Sequence, residues 1–264
     1  MSIIAISNQK GGIGKTTTAT ALTEALSIAG YSVLLIDADP QGNATATAEI
    51  ATDIRKGMPT LREVLTGAAP ASAATVRSRS LQADILPSSP MLAAIDKELG
   101  DAPGREYRMK ETIAEQAAAY DYIIIDTPPA LGTLTVNALT AADYLIIPTT
   151  ADNYALAGIG QLYQTVRAVL KYCNPSLKIA GILITRHSAR TVLSRELAEA
   201  VEHTAAAMGT RAFSTAIREG VAVREAQAQR RGLFQHAPNS KPAADYRSFA
   251  EEVAKICNGG KGND

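Results

Sequence analysis

The segment Gln9-Lys10-Gly11-Gly12-Ile13-Gly14-Lys15-Thr16-Thr17-Thr18 constrains this chain most. It joins a short apolar run, Ile3–Ser7, to an Ala/Leu-rich stretch that begins at Thr16 and closes at Gly30. Strand, glycine loop and helix in that order are the context a phosphate-binding loop requires. Glycines let successive backbone N–H groups turn inward around phosphate oxygens. The start of the following helix adds unpaired donors and partial positive charge. In such a loop Lys15 reaches the β- and γ-phosphates and the Thr16 hydroxyl binds Mg²⁺.

The rest of the chain fits the fold that this loop demands. Further β-branched runs occur at Val33–Ile36, Ile123–Ile125, Tyr144–Ile147 and Ile179–Ile184. They are apolar throughout rather than alternating, as strands buried on both faces are. Between them lie segments with helical spacing, 158–172 and 191–208, the latter closing at Gly209. Strands alternating with helices predict an α/β fold: a doubly wound, mostly parallel sheet with helices on both faces, in a single P-loop NTPase domain. Residues 43–80 are the least regular part, with one short helical run at Leu61–Leu65, and an isolated strand is expected at Ala83–Leu86. The domain is expected to span 1–257, with 258–264 a flexible tail.

Two acidic positions follow strands. Asp37-Ala38-Asp39-Pro40-Gln41-Gly42-Asn43 closes the second strand, and a carboxylate just past a strand's C-terminal edge lies at the phosphate crevice. Asp37 and Asp39, two apart on extended backbone, point the same way and suit holding Mg²⁺ indirectly or orienting a water. The run Tyr122-Ile123-Ile124-Ile125-Asp126 ends in a carboxylate whose position suits Mg²⁺ bound through water. Pro128-Pro129 then forbid an immediate helix start and stiffen the turn.

The loop departs from G-x-x-x-x-G-K-[ST]: its first glycine would fall at Gln9, and a second lysine, Lys10, stands at its start. A lysine there is badly placed for its own nucleotide's γ-phosphate but could reach one held by a second subunit. KGGIGKTT resembles the deviant Walker A box of the ParA/MinD ATPases. DADPQGN is similar to that family's switch I, and DTPP to its switch II. Tyr154–Ile159, Glu225-Ala226 and Tyr246–Val253 extend the similarity over residues 3–255. The resemblance implies an ATPase, slow unless stimulated, with ATP and Mg²⁺ as cofactors. It further implies Lys10, Lys15 and Asp39 as catalytic residues, Asp39 positioning the attacking water. Lys10, Gly11, Gly12, Ile13, Gly14, Lys15, Thr16 and Thr17 would bind nucleotide, and Thr16 and Asp126 would serve the metal.

Among the branches of that family, the chain looks most like the short, Soj-like partition proteins. No amphipathic membrane-binding tail is legible, and Cys173 and Cys257 do not match an iron–sulfur box. For this branch the resemblance implies a homodimer on ATP binding, nonspecific double-stranded DNA as ligand, a ParB-like centromere-binding partner, no membrane, and a cytoplasmic, nucleoid-associated location. Residues 181–235 hold eight arginines, no lysine and five glutamates in a chain of zero net charge. Arginine suits phosphate, although a solvated helical surface with pairs such as Arg195–Glu199 gives the same count. Thr185–Thr191 resembles the family segment whose arginine contacts DNA, which puts that role on Arg190. The second family arginine has no counterpart in Ile217–Ala222, leaving Arg218 or Arg224 to replace it. Two alternatives stay open: a relative that positions another cargo, and a metabolic P-loop enzyme acting on a small acid.

Overall fold

The structure is a computed structural model that describes residues 1–259 apart from 51–53, 55, 151–152 and 188–191, with the backbone alone over 153–157 and 192–197. Seven strands form one sheet: β1 Ser2–Ile6, β2 Val33–Asp37, β3 Val76–Ser78, β4 Ala83–Leu86, β5 Tyr122–Asp126, β6 Tyr144–Thr150 and β7 Lys178–Thr185. Their order is β3-β4-β2-β5-β1-β6-β7. Every pairing is parallel except β3 with β4. The helices used below are α1 Lys15–Ile28, α2 Asn43–Thr47, α3 Thr133–Ala141, α4 Asn153–Tyr172, α5 Val192–Ala207, α6 Val221–Ala228, α7 Leu233–His236 and α8 Lys241–Gly259.

The central strands bury both faces, and the period of two divides them between two cores. Ile3, Ala5, Leu34, Ile36, Ile123, Ile125, Leu145 and Ile147 pack on the side of α3, α4 and α5. Ile4, Ile6, Val33, Leu35, Ile124 and Ile146 pack on the side of α1 and α8. This is the doubly wound architecture that the unbroken apolar runs predict.

Three expectations change. Ala83–Leu86 is not isolated: it pairs in parallel with β2 and antiparallel with β3. The three-residue edge strand β3 has too little length and alternation to show in the sequence. The C-terminal helix runs from Lys241 to Gly259, so 258 and 259 belong to it rather than to a tail. Its buried face, Tyr246, Phe249, Ala250, Val253 and Cys257, follows helical spacing, but the polar and small residues between them dilute the signal.

Candidate nucleotide-binding site

The C-terminal ends of β1, β2 and β5 meet at one place because of register. On neighbouring parallel strands Asp37 lies opposite Asp126, and Asp126 opposite Ile6. The glycine loop leaves β1 at that edge. Gly12 and Gly14 take left-handed backbone, φ 73° and 89°, which other residues adopt only with strain. Gly14 is the residue before α1, and no side chain caps that helix. Its first N–H groups therefore remain available to an anion. The loop is braced from below: the Thr185 hydroxyl donates to Ile13 O at 2.8 Å and to Thr149 O at 3.1 Å. Buried Asn8 donates to Pro148 O at 2.8 Å and accepts from Lys10 N.

A cleft of about 730 Å³ opens over this loop. Gly11, Gly12, Gly14, Lys15, Thr16 and Thr17 line it, with Asp39, Gln41 and Asn43 facing them from the end of β2 and the start of α2. Ile13 is buried beneath, so its part in the loop is a backbone one. Lys10 does not line the cleft; its carbonyl accepts the Lys15 ammonium at 3.0 Å. Lys15 is itself buried, and that burial lowers its pKa against the opposing pull of Asp126 and Asp39. Phosphates arriving beside it would stabilise its charge.

The carboxylates divide their work. Asp37 accepts from Thr45 N and Thr45 Oγ1, both at 2.7 Å, and from Asp39 N at 3.2 Å. It thereby fixes the turn into α2. Burial raises Asp37 to about 6 despite these donors, with Asp39 adding repulsion. Asp39 accepts Gln41 N at 3.0 Å and keeps its carboxylate at the cleft wall. Asp126 is fully buried and neither of its oxygens has a hydrogen-bond partner of ordinary geometry. Burial first, then Asp37, push it well above the carboxylate range; the nearby Thr16 hydroxyl and Lys15 only partly counter this. Two orphaned oxygens beside Thr16 fit the hydration shell of a divalent cation, which would relieve that repulsion. Among the described residues no cluster of three or more His, Cys, Asp or Glu could ligate a metal directly. Attachment through water and the Thr16 hydroxyl is what these residues fit.

The arginines of 181–235 whose side chains are described take different places. Arg186, Arg230 and Arg231 line the nucleotide cleft. Arg218 is held by Asp245, with Nε donating to Oδ2 at 2.9 Å and the backbone N–H donating to the same oxygen at 3.0 Å. Arg224 is exposed on α6 and borders a smaller pocket beside Thr17 and Tyr246. Arg190 lies outside the described residues. Sequence reasoning missed Gln227, whose amide donates to Thr17 Oγ1 at 2.6 Å, and buried Glu24, which accepts from the backbone of Phe234 and Gln235. Both contacts join residues more than 200 positions apart, and no local pattern marks them.

Sheet order, glycine loop and the acidic strand ends together define a P-loop nucleotide-binding α/β protein. The chain matches the AAA domain family over residues 1–179. It is 39% identical over 253 residues to the sporulation initiation inhibitor protein Soj of Bacillus subtilis, covering 96% of this chain and 98% of that one. It is 37% identical over 255 residues to the chromosome partitioning protein ParA of Caulobacter vibrioides, covering 96% and 94%. Among solved structures, a Mycobacterium smegmatis protein described as cobyrinic acid a,c-diamide synthase, with bound ADP and magnesium, superposes with a TM-score of 0.85 at 34% identity, covering 99% and 97%. The chain belongs to the ParA/Soj family of ATPases. No helix among the described residues is long and apolar enough to cross a membrane.

Proposed function

We propose that the protein partitions DNA: two copies close around ATP, the dimer holds double-stranded DNA without regard to sequence, and hydrolysis stimulated by a ParB-like partner lets it go. The observation that carries this reading is the separation of the two loop lysines. Lys15 lines the cleft with Thr16 and Asp39, whereas Lys10, absent from the lining, suits a phosphate presented by the partner subunit. Lys15 and the loop N–H groups hold the phosphates. Asp39 orients the water that attacks the terminal phosphoryl group. The Thr16 hydroxyl and, through water, Asp126 would hold Mg²⁺, which would supply positive charge to the phosphate oxygens. Site completion in the dimer makes hydrolysis slow in the lone protomer.

For DNA we assign Arg190 and Arg224, with Arg218 contributing only when it exchanges Asp245 for a phosphate. Each protomer's excess of three positive charges over residues 181–235 is small, and a dimer sums two such faces on one duplex. The test is a surface-binding titration with random-sequence duplex, with and without ATP, at two salt concentrations. Binding should require ATP and weaken by about 0.9 log units per phosphate contact per decade of salt. Arg190→Glu should weaken it while leaving DNA-free hydrolysis near wild type. Equal affinity with and without ATP would refute the reading. A second reading, a metabolic P-loop enzyme, draws support from the likeness to the Mycobacterium smegmatis synthase. Recovery of all the transferred phosphoryl groups as free phosphate would exclude a phosphorylated small acid as product.

A further inference from the structure

Within residues 227–235, Gln227, Arg230, Arg231 and Leu233 line the nucleotide cleft, and helix α1 holds the segment at both ends. At the near end Gln227 Nε2 donates to the Thr17 hydroxyl at 2.6 Å, in the first turn of α1. At the far end the Glu24 carboxylate, only 2% exposed, accepts Phe234 N and Gln235 N at 3.4 Å. Gly232 sits so close to Glu24 that a β-carbon there would overlap the carboxylate. The Gly232 N–H also donates to Ser80 Oγ at 3.3 Å. Between these anchors stand Arg230 and Arg231, both lining the cleft that Lys15 lines.

The backbone is strained within this segment. Arg230 follows α6 in left-handed conformation, φ 54°, at a position that favours glycine. Arg230 N and Arg231 N close the helix end on Gln227 O and Ala226 O. Four non-glycine residues among those described have positive φ. Two of the four, Arg186 and Arg230, line the cleft, and a third, Glu49, pairs at 3.8 Å with the cleft-lining Arg231. Strain gathered at one site, and held by anchors on both sides, is the mark of a functional constraint. The Arg231–Glu49 pair, 3.8 Å apart, joins the chain just after α6 to the chain just after α2, a helix whose Asn43, Ala46 and Thr47 also line the cleft. A free surface pair of this kind does little for stability; this one ties a cleft-lining residue to the chain that follows α2.

We propose that residues 227–235 are an arginine strap, pinned to α1 at Thr17 and Glu24 and latched on Glu49, whose Arg230 and Arg231 set how fast a nucleoside polyphosphate leaves the cleft. The strap rests on the nucleotide-binding reading of that cleft. Its residues are positioning residues: they hold the ligand in place and take no part in the reaction. Arg231→Ala and Glu49→Ala remove the latch at exposed positions, and Gln227→Ala removes the near anchor.

The test measures release of fluorescent N-methylanthraniloyl-ADP, preloaded with Mg²⁺ on the full-length protein and chased with excess ADP in a stopped-flow instrument. Unfolding of the nucleotide-free protein is followed in parallel. Arg231→Ala and Glu49→Ala should each speed release about two- to five-fold, and the double variant should release no faster than the faster single one. Gln227→Ala should also speed release, and the nucleotide-free midpoints of the two latch variants should stay at the wild-type value. Wild-type release rates in both latch variants, or single effects that multiply in the double variant, would overturn the strap alone. A wild-type protein that does not take up the fluorescent nucleotide would overturn the nucleotide reading, and the strap with it.

Discussion

Replacing Glu24 with glutamine should make the nucleotide-free protein more stable at alkaline pH. Glu24 is 2% exposed on α1. Burial raises its carboxyl from the ordinary 4.5 to about 7, with the N–H groups of Phe234, Gln235 and Leu233 opposing the shift. Because the folded value lies above the unfolded one, the native state holds a proton between those two values that the unfolded chain has released. The linked stability is fully present below about 4.5 and is lost as pH rises towards and through 7. At 1.36 kcal/mol per unit, the ionised carboxylate costs about 3 kcal/mol at pH 8. The amide introduced by Glu24→Gln would keep an acceptor for the same N–H groups and cannot ionise. The variant should therefore gain up to about 3 kcal/mol at pH 8, roughly 6–12 °C in Tm for a chain of this size, with the gain shrinking towards pH 5. The sequence contains no tryptophan, so urea unfolding is best followed by far-UV circular dichroism at the two pH values. Asp37 and Asp126 titrate in both proteins and cancel from the difference. A variant that differs from wild type equally at pH 5 and pH 8, or is less stable at pH 8, would refute the assignment of Glu24 as a buried charge without a counter-ion.

Other outcomes follow from the site. Asp126→Asn removes a buried carboxyl whose ionisation is disfavoured by burial first and then by Asp37 and Asp39; it should stabilise the nucleotide-free protein at pH 8 yet weaken Mg²⁺-dependent ATP binding about tenfold or more, measured by unfolding and by equilibrium titration with and without Mg²⁺. Lys10→Ala should bind ATP but sediment as a monomer with a slowly hydrolysed analogue, and a dimer as strong as wild type would remove the role proposed across the interface. Gly181→Ala would place a methyl group 2.8 Å from Phe213 Cε2 and 3.0 Å from Arg211 O; it should cost about 1–3 kcal/mol, read from the urea midpoint with nucleotide release unchanged.

The loop was legible because its chemistry is local. Gly12, Gly14, Lys15 and Thr16 lie within one turn, and the backbone conformation they require depends only on neighbouring residues. The central strands were legible for a related reason: residues buried on both faces need no alternation, and β-branched runs such as Ile123-Ile124-Ile125 suit little else. The irregular stretch 43–80 hid β3 and the parallel pairing of β4, since edge strands are short and their pairing depends on which strand lies beside them.

Register and long-range packing decided the rest. The sequence by itself determined a phosphate-binding loop on an α/β sheet, with Asp39 and Asp126 at strand ends near it. Only the tertiary structure set Asp37 opposite Asp126 on adjacent strands, left both Asp126 oxygens without a partner of ordinary geometry, and made that cluster one whose mutual repulsion a cation would relieve. Only it could sort the arginines, sending Arg186, Arg230 and Arg231 to the cleft wall and Arg218 to Asp245. A count of arginines records charge, but direction comes from the anchors beneath the chain. Glu24 and Thr17 meet residues 227–235 from the far end of the sequence because α1, α6 and α7 pack together, and contacts between such distant positions leave no periodic trace in the sequence.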